Sequence, residues 1–104
     1  MFSVLTNDLT HCYVTGSKGV HIHHIFPGRK NRKLSEEYGF IVPLRPDWHN
    51  MSDYGVHFNR PFDLELKCKC QEWWLENGHT KEEFIKVFGK WWSTEPKMQI
   101  PRIF

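Results

Sequence analysis

Long apolar runs are missing from this chain. No stretch approaches the roughly 18 residues of a membrane-spanning helix, so the sequence gives no reason to place it in a bilayer. Cysteine is scarce and odd in number: of the three, Cys68 and Cys70 sit in "CKC", too close to pair in regular structure, which excludes a disulfide scaffold. A dominant charge is missing too. Fourteen Lys and Arg against twelve Asp and Glu leave a formal +2, so any pull on polyanions must come from a local patch. There is no internal repeat and no low-complexity tract, which excludes solenoids and disordered linkers. The start, "MFSVLTNDLTHC", lacks the basic opening and apolar stretch of a secretory signal, so a reduced, cytoplasmic protein is expected.

What is present is one domain's worth of chain, 1–104, rich in aromatics. Residues 1–11 carry little pattern and read as a loose lead-in. "CYVTGSKGVHIHHI" reads as a β-hairpin, with Cys12 to Val14 and Val20 to His23 flanking a glycine-bearing turn. Phe26 to Lys33 reads as a loop, and Ser35 before "EEYG" as the cap of a single helical turn ending at Gly39. "FIVPL" predicts a third short strand with Pro43 at an edge, and "RPDWHNMS" a short helix start.

Two longer helices follow. One runs through "RPFDLELKCKCQEWWLENG", with Phe62, Leu66 and Trp73 near one face. The other opens on Thr80 and Glu83 at capping-box spacing, with Phe84, Ile85, Phe88 and Trp91 or Trp92 as its apolar stripe. The tail from Ser93, with Pro96 and Pro101, should be irregular. The predicted class is α+β, with a core at about 12–59 and a helical part at about 60–92.

Histidine is the residue in excess. "VHIHHIFPGRKNRK" holds three of seven histidines and then four cations in five residues, Arg29, Lys30, Arg32 and Lys33. Neutral imidazole binds divalent ions and accepts protons near neutral pH. His23 and His24, with His49 and His57 further on, are the set that makes chemical sense together. A single-metal phosphodiesterase needs ligands for the ion, a free base for the attacking water, and open positions for a phosphate oxygen. Neighbours on a strand point to opposite faces, so His23 and His24 can share a site only if the strand ends or twists there; Pro27 and Gly28 are compatible with that.

With "CxxTG", "HHIFPG", "NRKLSEEYGF", "VPL", "HNMSDYGVHFN", "QEWWLENG" and "EEFIKVFGK" in this order, the stretch from Cys12 to Gly89 resembles phage-type HNH endonucleases of the His-Me finger, or ββα-metal, kind. The branch it resembles is related to the recombination-enhancing, recombinase-dependent nucleases. The resemblance implies a ββα-metal core with C-terminal helices packed on it and one divalent ion, whether zinc, magnesium, manganese or nickel. It implies that His23, His49 and His57 hold the ion and that His24 is the general base. DNA is the implied substrate, nicked or cut to leave a 5′ phosphate, with phage or host recombination or packaging proteins as possible partners in a host cytoplasm.

The sequence departs from that family in three places. The asparagine that orients the base in many relatives falls near Phe40, so Asn31, Asn50 or a backbone carbonyl must serve, Asn31 being the first choice; the other reading of Asn31 is a loop residue satisfying a turn. In many relatives a second helix histidine lies four positions after the first, where Asp53 stands here; Asp53 and His57 therefore compete as third ligand. A four-cysteine brace is excluded, since Thr15 and "LRPDW" lack the partners of Cys12, and Cys12, Cys68 and Cys70 read as packing residues. Arg29, Lys30, Arg32 and Lys33 are expected on the phosphate backbone, and no recognition-helix or finger spacing suggests more than weak sequence preference. The tryptophans of "EWW" and "KWW" are expected mostly in the core, with Trp74 or Trp92 partly exposed. The alternative function is a non-catalytic nucleic-acid-binding module with a structural metal.

Overall fold

A computed structural model describes residues 1–92. Strand β1 (His21–His24) is followed by helix α1 (Arg29–Tyr38), strand β2 (Ile41–Leu44) and a one-turn helix α2 (Pro46–His49). A 3-10 turn at Val56–Phe58 leads into the long helix α3 (Arg60–Glu76), and α4 (Lys81–Phe88) closes the described chain. The class is α+β. The predicted tail from Ser93 lies outside the described residues.

The sheet has two strands. β1 and β2 pair antiparallel, His21 opposite Leu44, Ile22 opposite Pro43, His23 opposite Val42 and His24 opposite Ile41. This corrects the predicted hairpin: Cys12 to Val14 form no strand. Instead Gly16 N donates to Cys12 O at 2.8 Å and Cys12 N to Ser17 O at 2.7 Å, a closed turn. Short β-favouring runs are alike in pattern, and burial decides between them. Ile41, Val42 and Leu44 are wholly buried, whereas Val14 is exposed.

The lead-in is docked rather than loose. Ser3 Oγ donates to Ile41 O at 2.6 Å, and Tyr13 N donates to Pro43 O at 2.8 Å along the side of β2 away from β1. Cys12 is buried as expected, and its sulfur accepts from Arg45 N at 3.2 Å.

The expected loop at 26–33 is half helix. α1 already begins at Arg29, and Ser35 is buried in mid-helix, accepting from Phe26 N, where a capping role was expected. Arg and Lys are good helix formers, and Leu34 and Tyr38 repeat at i, i+4 on one face, so the charge run is helical surface. Gly39 does end the helix, in the left-handed conformation (φ 76°).

α3 and α4 supply the floor of the core. Asn59 Oδ1 caps α3 by accepting from Phe62 N, and Thr80 and Glu83 form the predicted reciprocal box on α4 at 3.1 and 2.7 Å. The buried stripe of α3 is Leu66, Cys70 and Trp74; Trp73 only borders the core. Trp74 is 2% exposed and donates Nε1–H to Thr80 O at 2.7 Å, so it has no face free for a base. On α4, Phe84 and Phe88 are buried and Ile85 turns outward. Rings of Phe26, Phe40, Trp74, Phe84 and Phe88 meet at 4.6–6.4 Å between centroids. Five of these eight contacts are edge-to-face, and aromatic pairs of that kind contribute about 0.5–1.5 kcal/mol each beyond area burial. The floor thus anchors Phe26, two residues past the end of β1.

Candidate metal centre

Three elements converge on one point. His23 comes from β1, His49 is the last residue of α2, and His57 lies in the 3-10 turn. One nitrogen from each falls within 4.8 Å of the others. Ring centroids of the three are 4.6–5.2 Å apart.

Each arm is fixed by its own local chemistry. His23 faces inward because β1 alternates and Val42, opposite it, is core. α2 is stiffened through Asp47, which takes two bonds from the Arg45 guanidinium at 2.7 and 2.8 Å and one from Tyr54 OH at 2.6 Å. Val56, 2% exposed, pins the 3-10 turn, and Asn59 ties its end to Tyr54 O. Gly55 completes the arrangement: a Cβ there would stand 2.8 Å from His49 O and 3.0 Å from Asp47 O.

The residues fit a divalent ion. His23 is 5% exposed, and its Nε2 has no hydrogen-bond partner. A buried, unpartnered nitrogen costs roughly 1–3 kcal/mol unless something binds it. Burial, then the neighbouring His49 and His57, pull the His23 pKa from 6.5 down to about 3. Burial, then His57 and His21, take His49 down to about 4. The protonated forms that would compete with an ion are therefore suppressed. His49 Nε2 and His57 Nε2 lie 3.0 Å apart, a little closer than the roughly 3.4 Å expected of two imidazoles on one tetrahedral zinc. Asp53 is exposed and outside the cluster, whose third member is His57.

His24 is in the same cleft and not in the cluster. The cleft, about 530 Å³, is lined by His23, His24, His49 and His57 together with Pro27, Gly28, Arg29 and Arg32. β1 ends at His24, which lets both neighbours reach one space. His24 Nε2 lies 2.7 Å from Glu36 Oε2. A carboxylate only accepts, so Nε2 carries a proton and, in the neutral ring, Nδ1 keeps its lone pair.

Asn31 is placed elsewhere. Its amide donates to Phe88 O at 2.8 Å, joining α1 to α4, and Asn50 is the exposed residue that ends α2. Glu36 holds the place expected of Asn31. From sequence alone it is one of two adjacent glutamates, and only helical phase over α1 separates it from Glu37. His21 was also missed: its Nδ1 lies 3.0 Å from His49 Nδ1. Of the remaining histidines, His11 pairs with Asp8 and His79 packs on Trp74.

The four cations do not act as one patch. Arg29 and Arg32 line the histidine cleft, whereas Lys30 and Lys33 line a second cleft of similar size with Met1, Leu34, Glu36 and Glu37. α1 begins with cations, has no acidic residue in its first turn and no side-chain cap. Cations at a helix's positive end are disfavoured by about 0.3–1 kcal/mol each, a cost that an anion bound there removes. No helix is long and apolar enough to cross a membrane among the described residues. Compared with protein-family models, with curated proteins and with solved structures, the chain has no significant match in any of the three.

Proposed function

We propose that this protein is a metal-dependent DNA endonuclease of the HNH type, built on a ββα-metal core in which β1, β2 and α2 frame the site. The observation that carries the reading is three imidazoles able to share an ion beside a fourth, His24, that stands outside their set. A structural zinc closes its coordination with four protein ligands, whereas a catalytic one keeps a position open.

His23, His49 and His57 would hold the ion. A divalent cation there supplies Lewis-acid stabilisation of the charge that builds on the phosphate and the leaving 3′ oxygen. Arg29, Arg32 and the α1 amino end bind phosphate oxygens and seat the duplex backbone in the cleft. Glu36 accepts the Nε2–H of His24 and fixes the ring's tautomer and direction. The lone pair on His24 Nδ1 then takes a proton from the attacking water, and the imidazolium formed stays paired with Glu36.

The test is nicking of supercoiled plasmid with chelator and then with Mg²⁺, Mn²⁺, Ni²⁺ or Zn²⁺, wild type against His24→Ala. The expected result is metal-dependent nicking that falls by about 10²–10⁴-fold in the variant while its metal affinity is retained. Equal activity in both proteins refutes His24 as the base. Bound metal and salt-sensitive DNA binding without cleavage in either points to the non-catalytic module.

A further inference from the structure

His21 is the one histidine of "HIHH" that the proposed chemistry leaves without a part. β1 alternates, so His21 and His23 face the same side, and both rings stand 5.2 Å from that of His49. The two contacts differ in kind. His21 Nδ1 approaches His49 Nδ1 at 3.0 Å, while His49 Nε2, on the other side of its ring, faces His57 Nε2.

Two ring nitrogens at that distance share one proton, and chemistry decides which gives it. For His49 to offer the Nε2 lone pair to an ion, its proton must sit on Nδ1. His21 Nδ1 is then the acceptor, and the neutral His21 carries its own proton on Nε2. His21 cannot itself be a fourth ligand of the same ion, because it meets the edge of His49 turned away from His57. Ligating histidines usually give their second N–H to a carboxylate, a carbonyl or water, and these partners set ring orientation and ligand basicity.

We propose that His21 is a positioning residue of the metal centre. It accepts the Nδ1–H of His49 and thereby holds Nε2 of His49 toward a divalent ion of borderline softness such as zinc. This leaves three imidazoles as the protein's ligand set and gives each histidine of "HIHH" its own task. The inference rests on reading His23, His49 and His57 as the ion's holders.

The test is zinc affinity by competition with a chromophoric chelator, on the full chain, for wild type, His21→Ala and His21→Asn. Asparagine is the conservative variant because its side-chain oxygen can stand near the place of Nδ1 and accept the same bond. The expected result is a 10–100-fold loss of affinity in His21→Ala and recovery of most of it in His21→Asn. The ring ¹⁵N spectrum of the metal-free protein should show the His49 proton on Nδ1 in wild type and His21→Asn, and a mixture of tautomers in His21→Ala. His21 is exposed, so the metal-free variants should unfold at the same urea concentration as wild type. Wild-type zinc affinity in His21→Ala overturns the role of His21 alone. No rescue by asparagine in a folded variant, with mixed tautomers in both, also overturns it. Wild-type protein that binds no zinc overturns the metal centre and this inference together.

Discussion

Acid should unfold the metal-free protein earlier than its carboxylates require, and His23 sets the size of the effect. In the unfolded chain this imidazole takes a proton near pH 6.5; in the folded protein, burial first and the adjacent His49 and His57 next hold it neutral until about pH 3. The unfolded state therefore binds more protons throughout that window, and stability falls as pH falls. The contribution of neutral His23 is whole above pH 6.5, is lost progressively below it, and levels off near pH 3. At pH 4.5, two units under the unfolded value, the loss is about 3 kcal/mol, at about 1.4 kcal/mol per unit. That is a large share of the roughly 5–15 kcal/mol that holds a domain folded.

His49 is lowered to about 4 and adds in the same direction, but it is only partly buried, so solvent screening weakens its share. Asp47 and Glu83, held below their ordinary values by the Arg45 guanidinium and the Thr80 backbone N–H respectively, add their loss nearer pH 4 and below. The assay is urea unfolding with chelator at pH 7, 6, 5 and 4.5, wild type against His23→Gln. The wild-type stability should fall by about one proton's worth more per pH unit than the variant's. Parallel curves would refute the reasoning, whatever the absolute stabilities.

Three further outcomes are expected. Glu36→Ala should lower kcat with KM little changed, by less than the about 10²–10⁴-fold that loss of a general base costs, and Glu36→Gln should recover part of it because its amide oxygen still accepts; plasmid nicking under saturating DNA reads both. Arg29→Ala and Arg32→Ala should each reduce the salt dependence of duplex binding by about one unit of log–log slope, with smaller changes for Lys30→Ala and Lys33→Ala; fluorescence anisotropy across a salt series decides it, and four equal effects would contradict the division of the basic run. Gly55→Ala should weaken zinc binding and cost about 1–3 kcal/mol of stability by calorimetry and urea unfolding. Its backbone, at φ −66°, tolerates alanine, but the new methyl would press on the His49 carbonyl.

The sequence carried the parts of this molecule that depend on local chemistry. The Thr80 and Glu83 box, the stop at Gly39 and the apolar strand at 41–44 follow from side chains acting on their own backbone. The grouping of His23, His49 and His57 is what the family resemblance implied, and the three do lie together. What failed depends on long-range choice. Whether β1 pairs with Cys12 to Val14 or with Ile41 to Leu44 turns on which partner brings buried surface, and neither run is long enough to declare it. The charge run at 29–33 looks like a loop by composition and is helix by propensity and by the position of Leu34 and Tyr38. Trp73 and Trp74 are adjacent, and a shift of one residue in helical phase exchanges which is buried. The same ambiguity hid Glu36. Asn31 was drawn to the base by analogy, and the α4 carbonyl at Phe88 claims it instead.

The three clustered histidines, His24 with its Glu36 partner and the basic helix all come from one continuous span, His21 to His57, while the aromatic floor comes from residues 62 onward. Closing β1 on β2 spans only α1, a short loop with a small entropic cost, so the histidine-bearing half can assemble early from near neighbours. The floor then attaches beneath it at several points: around the rings of Phe26, Tyr38 and Phe40, through Trp48 on Phe62, and through the Asn31 amide on Phe88 O. The histidine cleft and the floor that braces it are thereby encoded in successive segments, and another scaffold could receive the first only if it offered an aromatic socket for Phe26, Tyr38 and Phe40 and an acceptor for the Asn31 amide.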